Sequence, residues 1–227
     1  MNIKLPSLCR RLSVVSGFVR NGAVIADIGT DHALLPIYLV KAGIARNAIA
    51  ADIAEGPLAS AASNIASYGL SDKITTVLSD GLEKIQPYAP TDITICGMGG
   101  ETVIDILSKA PWVKDPSLRL ICQAQSFIPT LRKYLTDEGF YIVDEKICRD
   151  RGKFYVCIVS EYGRRETDYS EAELYLGRRN IEKREDILSD YTAYVINILK
   201  KKADGMRVAG MDTGDADRLI DELKSYI

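Results

Sequence analysis

The sequence predicts an α/β fold with a Rossmann-like, mostly parallel sheet of seven strands and a small helical region after it. Three observations predict this fold. Strand-like and helix-like segments alternate up to residue 138, the next two strand-like segments follow each other directly, and a polar stretch with helical periodicity comes last. Strands that alternate with helices are typical of a parallel sheet with helices on both faces.

The individual elements follow from the spacing of the apolar residues. An opening helix is predicted by apolar residues at helical spacing, namely Leu5, Leu8, Leu12, Val15 and Val19. Apolar runs then predict five parallel strands, at residues 23–28, 48–53, 74–78, 92–96 and 118–123. Helical patterns separate or follow these strands at residues 33–42, 57–67, 101–110 and 128–138.

The last two strands are predicted at residues 140–147 and 154–160, with only the polar segment 148–153 between them. A connection this short joins antiparallel strands, so the two should form a hairpin. Five parallel strands that end in an antiparallel hairpin resemble the class I methyltransferase fold more closely than that of a dinucleotide-binding dehydrogenase. A fold alone does not fix a function.

Residues 164–227 predict a separate helical, coiled-coil-like domain, which leaves residues 1–163 as one α/β domain with its N-terminal helix. Ser170 begins a polar helix whose end is marked by Gly205 and Gly210. A second helix is predicted at residues 212–226 and would fold back on the first as an antiparallel pair. The apolar residues of the first helix lie near heptad spacing: Leu174, Ile181, Leu188, Tyr191, Val195 and Leu199.

Charge and composition limit the function classes. A net charge of −2 and a pI near 5.6 argue against a strongly basic nucleic-acid-binding coat. The five cysteines have no Cys-x-x-Cys spacing and the chain has one histidine, so no metal is expected. The sequence has no apolar signal run and no stretch of membrane-spanning length, so we expect a cytoplasmic location.

Basic residues cluster in two places all the same. They are either ordinary solvated helix faces or a surface that binds phosphate groups. The N-terminal cluster consists of Lys4, Arg10, Arg11 and Arg20. The cluster in the helical tail consists of Arg178, Arg179, Lys183, Arg184 and the three lysines at 200–202.

The clearest ligand signal lies between Ile25 and Ala33, where an apolar run ends at Gly29, with Asp27 and Asp31 on its two sides. A glycine here permits a tight turn and the close approach of a ligand. A phosphate-binding loop would have several glycines and no nearby negative charge. The two carboxylates therefore favour a cofactor with hydroxyl groups or a positive charge, and S-adenosylmethionine has both.

Polar or flexible residues also follow the other predicted parallel strands, and ligands of open α/β sheets lie across these carboxyl ends. Asp52, after the second strand, can accept hydrogen bonds from ribose hydroxyls, in NAD enzymes as in methyltransferases. Asp80 can meet the adenine amine, and Gly81 leaves room for the ring. Residues 97–100, Gly-Met-Gly-Gly, form a flexible floor toward the substrate. Each feature alone is an ordinary turn, but together they indicate a cofactor site.

Taken together, these motifs resemble the TrmK family of bacterial tRNA methyltransferases, which modify N1 of adenine-22. The resemblance rests on residues 26–33, on Asp52 with residues 56–58 and Asn64, and on residues 79–82 and 96–100. It is weaker in the C-terminal helices and at residues 121–125, Ile-Cys-Gln-Ala-Gln, where the family favours Leu-Gln-Pro.

The resemblance implies a class I S-adenosylmethionine-dependent methyltransferase with tRNA as its partner, and we expect a monomer or weak homodimer. The residues expected to bind the cofactor are Asp27, Gly29, Thr30, His32, Asp52, Ile53, Asp80, Gly81, Gly97 and Met98. The residues expected to contact the substrate are Arg10, Arg11, Gly99, Gly100, Lys183 and Arg184.

The residues also favour a ring nitrogen as the methyl acceptor. Exocyclic-amine methyltransferases carry an Asp/Asn-Pro-Pro-aromatic floor after the fourth strand, and Gly-Met-Gly-Gly supplies none of it. A ring nitrogen needs only alignment and a negative group that stabilises the cationic product. Asp31 is the catalytic candidate, because it can accept a hydrogen bond from the adenine amine; otherwise it is a helix cap. His32 either adds a hydrogen bond or serves local structure.

A base inside a folded tRNA must leave its stack before it can react, so the protein needs a grip on the backbone and a pocket. The N-terminal helix and the helical tail are the candidates for the grip. Met98 and residues 125–127 are candidates for the pocket wall, with Phe127 as a stacking surface or, as is more usual at a helix start, a core residue. Two other functions stay open: an NAD-dependent oxidoreductase, disfavoured by the lack of Gly-x-Gly-x-x-Gly, and a non-catalytic RNA-binding module.

Overall fold

The computed structural model describes residues 5–163 and 168–227. The strands of its sheet are β1 (Ala23–Ile28), β2 (Ala45–Asp52), β3 (Ile74–Leu78), β4 (Asp92–Met98), β5 (Arg119–Ala124), β6 (Phe140–Asp150) and β7 (Lys153–Tyr162). They lie in the order β3-β2-β1-β4-β5-β7-β6. The first five are parallel, and β7 runs antiparallel to both β5 and β6. The expected sheet and its terminal hairpin are confirmed.

Helices cover both faces of this sheet. They are α1 (Arg10–Ser16), α2 (Leu34–Lys41), α3 (Glu55–Ser67), α4 (Gly100–Ser108), α5 (Ile128–Asp137), α6 (Glu171–Leu176), α7 (Arg178–Lys183), α8 (Ile187–Val208) and α9 (Gly214–Leu223). Alternate residues of β1 belong to different hydrophobic clusters: Val24 and Ala26 to one, Ala23 and Ile25 to the other. Because successive side chains of a strand point to opposite faces, the sheet has an apolar layer on each side.

Two strand ends differ from the sequence prediction in a way that affects the site. β2 ends at Asp52, so Ile53 lies outside the strand. β4 continues to Met98, and its register with β5 shifts between Cys96 and Met98, so Gly97 forms an irregularity inside the strand. The expected floor therefore begins within the sheet and not after it.

The opening helix is shorter than expected. α1 begins at Arg10, after Cys9 in an extended conformation, and ends at Ser16. Leu5 and Leu8 precede it in a segment where Pro6 is buried. Proline disfavours a helical conformation only for the residue before it, so Pro6 excludes Leu5 from a helix, and the extended Cys9 sets the start at Arg10. Lys4 lies outside the described residues.

The prediction of one long helix from Ser170 is wrong. Ser170 does cap a helix, through a reciprocal capping box with Glu173. The chain then breaks at Gly177 (φ 91°) and again at Arg184 (φ 51°), which produces α6, α7 and α8. A Cβ at Gly177 would stand 2.4 Å from Oε2 of Glu145 on β6, so the break lets the backbone approach the sheet.

The predicted antiparallel helical pair is present as α8 and α9. Arg207 and Asp217 form an ion pair near the connection, and Ser189 and Tyr226 line one groove at the other end. Both helices belong to the same hydrophobic cluster as the sheet. The predicted domain boundary at residues 163 and 164 borders the undescribed residues 164–167, and the helices after it pack directly on the α/β part.

In the two described ranges, no helix combines the length and the apolar character that crossing a membrane requires.

Candidate active site

The candidate site lies at the carboxyl edge of the parallel strands, where the loops after β1, β2, β3, β4 and β5 meet. Both backbone N–H groups after β1, those of Gly29 and Thr30, donate to the carbonyl of Ala51 on β2, at 2.9 and 3.0 Å. The loop after β1 therefore bends toward β2 and shares one edge with the residues that follow β2. This is the position at which open α/β sheets bind ligands.

Asp27 holds this loop from the inside. Its carboxylate is buried and accepts hydrogen bonds from the hydroxyls of Thr30 (2.7 Å) and Thr94 (2.8 Å). Burial raises the pKa of Asp27 to about 6, although both hydrogen bonds and the charge of Arg11 act in the other direction. Asp27 and the buried Thr30 thus fix the loop conformation. Their expected effect on a cofactor is indirect, through the shape of the loop that would contact it.

Gly29 and Met98, both expected to bind cofactor, are direct neighbours. Gly29 has φ 71°, and a Cβ on it would stand 2.2 Å from the Cε of Met98. A side chain at position 29 would therefore collide with the floor residue and strain the backbone as well. The glycine lets the loop after β1 contact the end of β4 without a gap.

Asp31 carries an exposed carboxylate at the mouth of the site. α2 begins at Leu34 without a side-chain cap, so Asp31 is not the helix cap that was the alternative reading. Its side chain is 79% exposed, and Oδ1 lies 3.5 Å from Nε2 of His32. His32 and Ala33 both have positive φ values, a strained conformation for residues other than glycine. The carbonyl of His32 accepts a hydrogen bond from Asn64 of α3, which supports this conformation.

The end of β2 presents one acceptor and one apolar side chain. Oδ1 of Asp52 accepts a hydrogen bond from the backbone N–H of Ala54 (2.9 Å), which orients the carboxylate, and no described residue pairs with Oδ2. Ile53 is 67% exposed, and Leu78, opposite Asp52 in the register of β3, is also exposed. A carboxylate beside exposed apolar side chains suits a nucleoside, whose hydroxyls need acceptors and whose ring needs an apolar contact.

The third strand end corrects one prediction. Gly81 is buried, and a Cβ on it would lie 3.0 Å from the side chain of Ile106 on α4. The missing side chain therefore accommodates Ile106 and not an adenine ring. Asp80 beside it is exposed, so the expected contact with the adenine amine depends on Asp80.

The glycines after β4 differ from one another. A Cβ on Gly97 (φ 79°) would stand 3.3 Å from Nη1 of Arg11, so this glycine borders the floor of the site. Gly99 is half-buried beside Ser126. Gly100 is buried, and a Cβ on it would stand 2.6 Å from the carbonyl oxygen of Phe127. Gly100 thus packs one loop against the next, and its expected contact with substrate stays a prediction.

Arg11 was expected on an RNA-binding helix face, and the structure places its guanidinium at the floor of the site, where its contact with substrate stays a prediction. Its Nη1 donates to Oε1 of Gln123 at the end of β5 (2.8 Å), next to Gly97. Together with Thr94, Gln123 is a floor residue that the sequence interpretation missed. The available signal was a polar residue inside an otherwise apolar, buried strand, because such a group needs a hydrogen-bond partner.

Phe127 is 54% exposed and has φ 52°, directly before α5. The reading that placed it in the core is therefore wrong, and the ring remains a candidate stacking surface beside the floor.

Five of the ten described residues in the two basic clusters have partners within the protein. Arg20 is bound to the buried carboxylate of Asp92 at 2.7 Å, and Lys183 is paired with Asp144. Arg178 and Arg179 pair with Glu173 and Glu182. Within these two clusters, the exposed cations without an ion pair to any described residue are Arg10, Arg184 and the three lysines of α8. Half of the described residues in the two clusters thus stabilise the fold, and the other half stay exposed to solvent.

The residues of this edge fit S-adenosylmethionine. Asp52 offers an oriented acceptor for hydroxyl groups, Ile53 an apolar contact for a ring, and Asp27 and Asp31 provide negative charge near a cationic group. In the described ranges, no three His, Cys, Asp or Glu side chains are arranged to hold a metal ion.

Comparison with known proteins agrees with this geometry. A family model described as a methyltransferase domain matches residues 8–158. The tRNA (adenine(22)-N(1))-methyltransferase of Bacillus subtilis is 38% identical over 170 residues, 75% of this chain and 71% of that protein.

Two solved structures extend the match to the helical tail. The Bacillus subtilis m1A22 tRNA methyltransferase TrmK superposes with a TM-score of 0.83 at 31% identity, over 97% of this chain and 95% of that one. The TrmK of M. capricolum, solved with S-adenosyl-homocysteine, superposes with a TM-score of 0.81 at 27% identity, over 96% and 97%. The chain is therefore a class I methyltransferase-fold protein that belongs to the TrmK family.

Proposed function

We propose that this protein transfers a methyl group from S-adenosylmethionine to N1 of adenine-22 in tRNA. The observation that carries the proposal is the exposed carboxylate of Asp31, which caps no helix and directly follows the loop that Asp27 holds in place. The similarity to the Bacillus subtilis enzyme, which carries this activity in its name, supports it. The oxidoreductase alternative has no support in either the family match or the loop chemistry.

Each residue at the edge then has a defined task. S-adenosylmethionine supplies an electrophilic methyl group on a positively charged sulfur. Asp52 would accept hydrogen bonds from the ribose hydroxyls, and Ile53 would offer an apolar contact to the adenine ring of the cofactor. Asp80 accepts a hydrogen bond from the amine of that ring. Met98, packed on Gly29, forms the floor between cofactor and substrate.

Asp31 acts on the target base. Its carboxylate accepts a hydrogen bond from the exocyclic amine of the adenine, which turns the lone pair of N1 toward the methyl group. Methylation at N1 leaves a positive charge on the ring, and the same carboxylate stabilises it. Orientation and charge stabilisation are what this reaction needs, since N1 requires no prior removal of a proton. His32, 3.5 Å from Asp31, helps to position it.

Arg11 has a different role from the expected one. Its guanidinium faces Gln123 and Gly97 and lowers the pKa of the buried Asp27. We propose that it keeps Asp27 ionised when a cofactor binds, and that tRNA contacts come from Arg10, Arg184 and surfaces nearer the site. The protein acts as a monomer or weak homodimer in the cytoplasm, where its tRNA substrate is found.

Incubation with unmodified tRNA and isotope-labelled S-adenosylmethionine tests the proposal, followed by nucleoside mass spectrometry. The expected product is labelled N1-methyladenosine at one position, which is lost when adenine-22 is replaced by guanine. Labelled N6-methyladenosine, or labelling that persists in the variant tRNA, would contradict the assigned acceptor.

A further inference from the structure

The hairpin formed by β6 and β7 extends past the edge of the sheet that carries the candidate site. β7 pairs with β5 only from Arg119↔Glu161 to Cys122↔Ile158, whereas its pairing with β6 continues to Asp150↔Lys153. β5 itself ends at Ala124. The last three residues of the hairpin arm therefore project about 10 Å beyond the neighbouring strand, at about 3.3 Å per residue.

The end of this hairpin is basic. Arg149, Arg151 and Lys153 are exposed, and none of them forms an ion pair with a described residue. The acid among them, Asp150, is half-buried and turned inward, with Oδ2 3.5 Å from the backbone N–H of Arg11. We call Arg149, Arg151 and Lys153 the basic tip. Its three cations are exposed, and the tip lies beyond the same carboxyl edge of the parallel strands at which Asp31 and Asp52 lie.

The turn itself is built at a conformational cost. Arg151 and Gly152 have φ values of 47° and 79°, so both turn residues are left-handed, as in the two-residue hairpin turns that match the twist of a sheet. Asparagine, aspartate or glycine is preferred at the first of these positions. An arginine there is strained, and strain of this kind is more often found at functional positions. It places a guanidinium at the outermost point of the hairpin.

The basic tip is also held rigidly. The guanidinium of Arg149 lies over the ring of Phe154 at 5.0 Å, and that ring packs against Tyr191 and Tyr194 of α8 at 5.6 and 5.2 Å. On the inner side, the guanidinium of Arg11 lies 5.8 Å from the ring centre of Tyr155. Contacts thus run from the tip to α8 in one direction and to the floor of the site in the other.

We propose that the basic tip binds the phosphate backbone of the RNA substrate and holds it over the carboxyl edge of the sheet. This inference rests on the proposed function. Cations without protein partners are the groups that RNA phosphates recruit, since each contact releases a counterion from the nucleic acid. A rigid scaffold is also what a base that must leave its stack requires, because the backbone on either side has to be fixed.

The test compares two double variants with the same change in charge. R151Q/K153Q removes two of the three charges of the basic tip, and R46Q/K73Q removes those of an exposed arginine and lysine at the amino ends of β2 and β3, on the opposite edge. Affinity for unmodified tRNA is measured by fluorescence anisotropy at several salt concentrations, and S-adenosylmethionine affinity by calorimetry. R151Q/K153Q should bind tRNA about tenfold more weakly, with a salt slope lower by about 2, and bind the cofactor normally.

Further outcomes separate the tip from the chemistry. The variant R151K/K153R keeps both charges and should keep the affinity for tRNA. If R151Q/K153Q and R46Q/K73Q weaken tRNA binding equally, the effect comes from net charge and the proposal is overturned. If the unaltered protein methylates tRNA and R151Q/K153Q binds it normally, the tip proposal alone is wrong. If the unaltered protein binds cofactor but neither binds nor methylates tRNA, the proposed function is wrong and the tip proposal is overturned with it.

Discussion

Arg132 of α5 and Glu145 of β6 form an ion pair from which solvent is fully excluded, with Nε and Oε1 2.6 Å apart and no exposed area on either side chain. Nη1 of Arg132 also donates to the carbonyls of Leu174 (2.5 Å) and Tyr175 (3.0 Å) on α6. The pair thus connects the sheet, α5 and the first helix of the tail. Burial raises the pKa of Glu145 although the charge of Arg132 opposes this shift.

Removing one partner of this pair should destabilise the protein strongly. Glu145→Gln leaves the guanidinium of Arg132 buried without a counter-charge, so we expect the free energy of unfolding to fall by about 3 to 5 kcal/mol. Urea denaturation measures this change in the free energy of unfolding. The double variant R132M/E145L should lose much less, and K133Q, at an exposed pair with Asp137, should change stability by less than about 0.5 kcal/mol. A double variant as unstable as E145Q would contradict the explanation.

Stability should depend on pH through Asp27. Its pKa lies at about 6 in the folded protein, above the usual 3.8, so the folded state binds a proton more tightly than the unfolded chain. The contribution of this group to stability is fully present below about pH 4 and is lost as pH rises through about 6, in total about 3 kcal/mol. The unfolding free energy of D27N minus that of the unaltered protein should therefore rise by this amount between pH 4 and pH 7. A difference that is flat with pH would rule out the raised pKa.

Asp31→Asn should lower turnover and leave cofactor binding nearly unchanged. The amide keeps the shape of the side chain but loses the negative charge that faces the cationic product, which corresponds to about a hundredfold loss in rate. Single-turnover methylation of tRNA and calorimetry with S-adenosylmethionine measure the two effects. Asp72→Asn, at an exposed acid before β3, is the matched control. Normal turnover in D31N would remove Asp31 from the mechanism.

Asp52→Ala should act on cofactor affinity instead. The loss of hydrogen bonds from ribose hydroxyls to a charged acceptor corresponds to about 1.5 to 3 kcal/mol, or about 10- to 150-fold in the dissociation constant. Asp52→Asn retains an acceptor for the N–H of Ala54 and should lose less. Calorimetry with S-adenosyl-homocysteine gives the comparison without turnover. An unchanged affinity in D52A would exclude the ribose contact.

Phe127 offers a test of the substrate pocket. Phe127→Leu keeps an apolar side chain in the same strained backbone conformation but removes the stacking surface, so kcat/KM for tRNA should fall by about tenfold. Phe127→Trp should retain most of the activity. Cofactor affinity should be equal in all three proteins, and an unimpaired F127L would show that the ring does not contact the base.

The elements were predictable where the signal is local, and unpredictable where it depends on distant partners. Neighbouring residues are enough to predict the six buried residues of β1 and the capping box at Ser170. The helix break at Gly177 was not predictable from the apolar spacing, which favoured one continuous helix. The break depends on the close approach of Gly177 to Glu145, a residue of β6. Arg20 looked like a free surface cation because Asp92, which binds it, is 72 positions away in the sequence.

The candidate site shows the same division. Asp27, Asp31 and Asp52 could be selected because each lies at or just after the carboxyl end of a predicted parallel strand, and these ends meet at one edge. Arg11 and Gln123 could not, since their contact joins residues separated by 112 positions. The position of a charged side chain thus depends on its tertiary partner, which periodicity does not reveal.

The projecting hairpin pairs with the rest of the sheet only through residues 158–161 of β7. Its length can therefore change without disturbing any other strand pairing. An insertion of one residue in each arm would move the tip by about 3.3 Å and turn its side chains to the opposite face. Two in each arm would restore the face and move the tip by about 6.6 Å. Under the proposed role of the basic tip, the length of this hairpin sets the distance at which an RNA would be held from the reacting nitrogen.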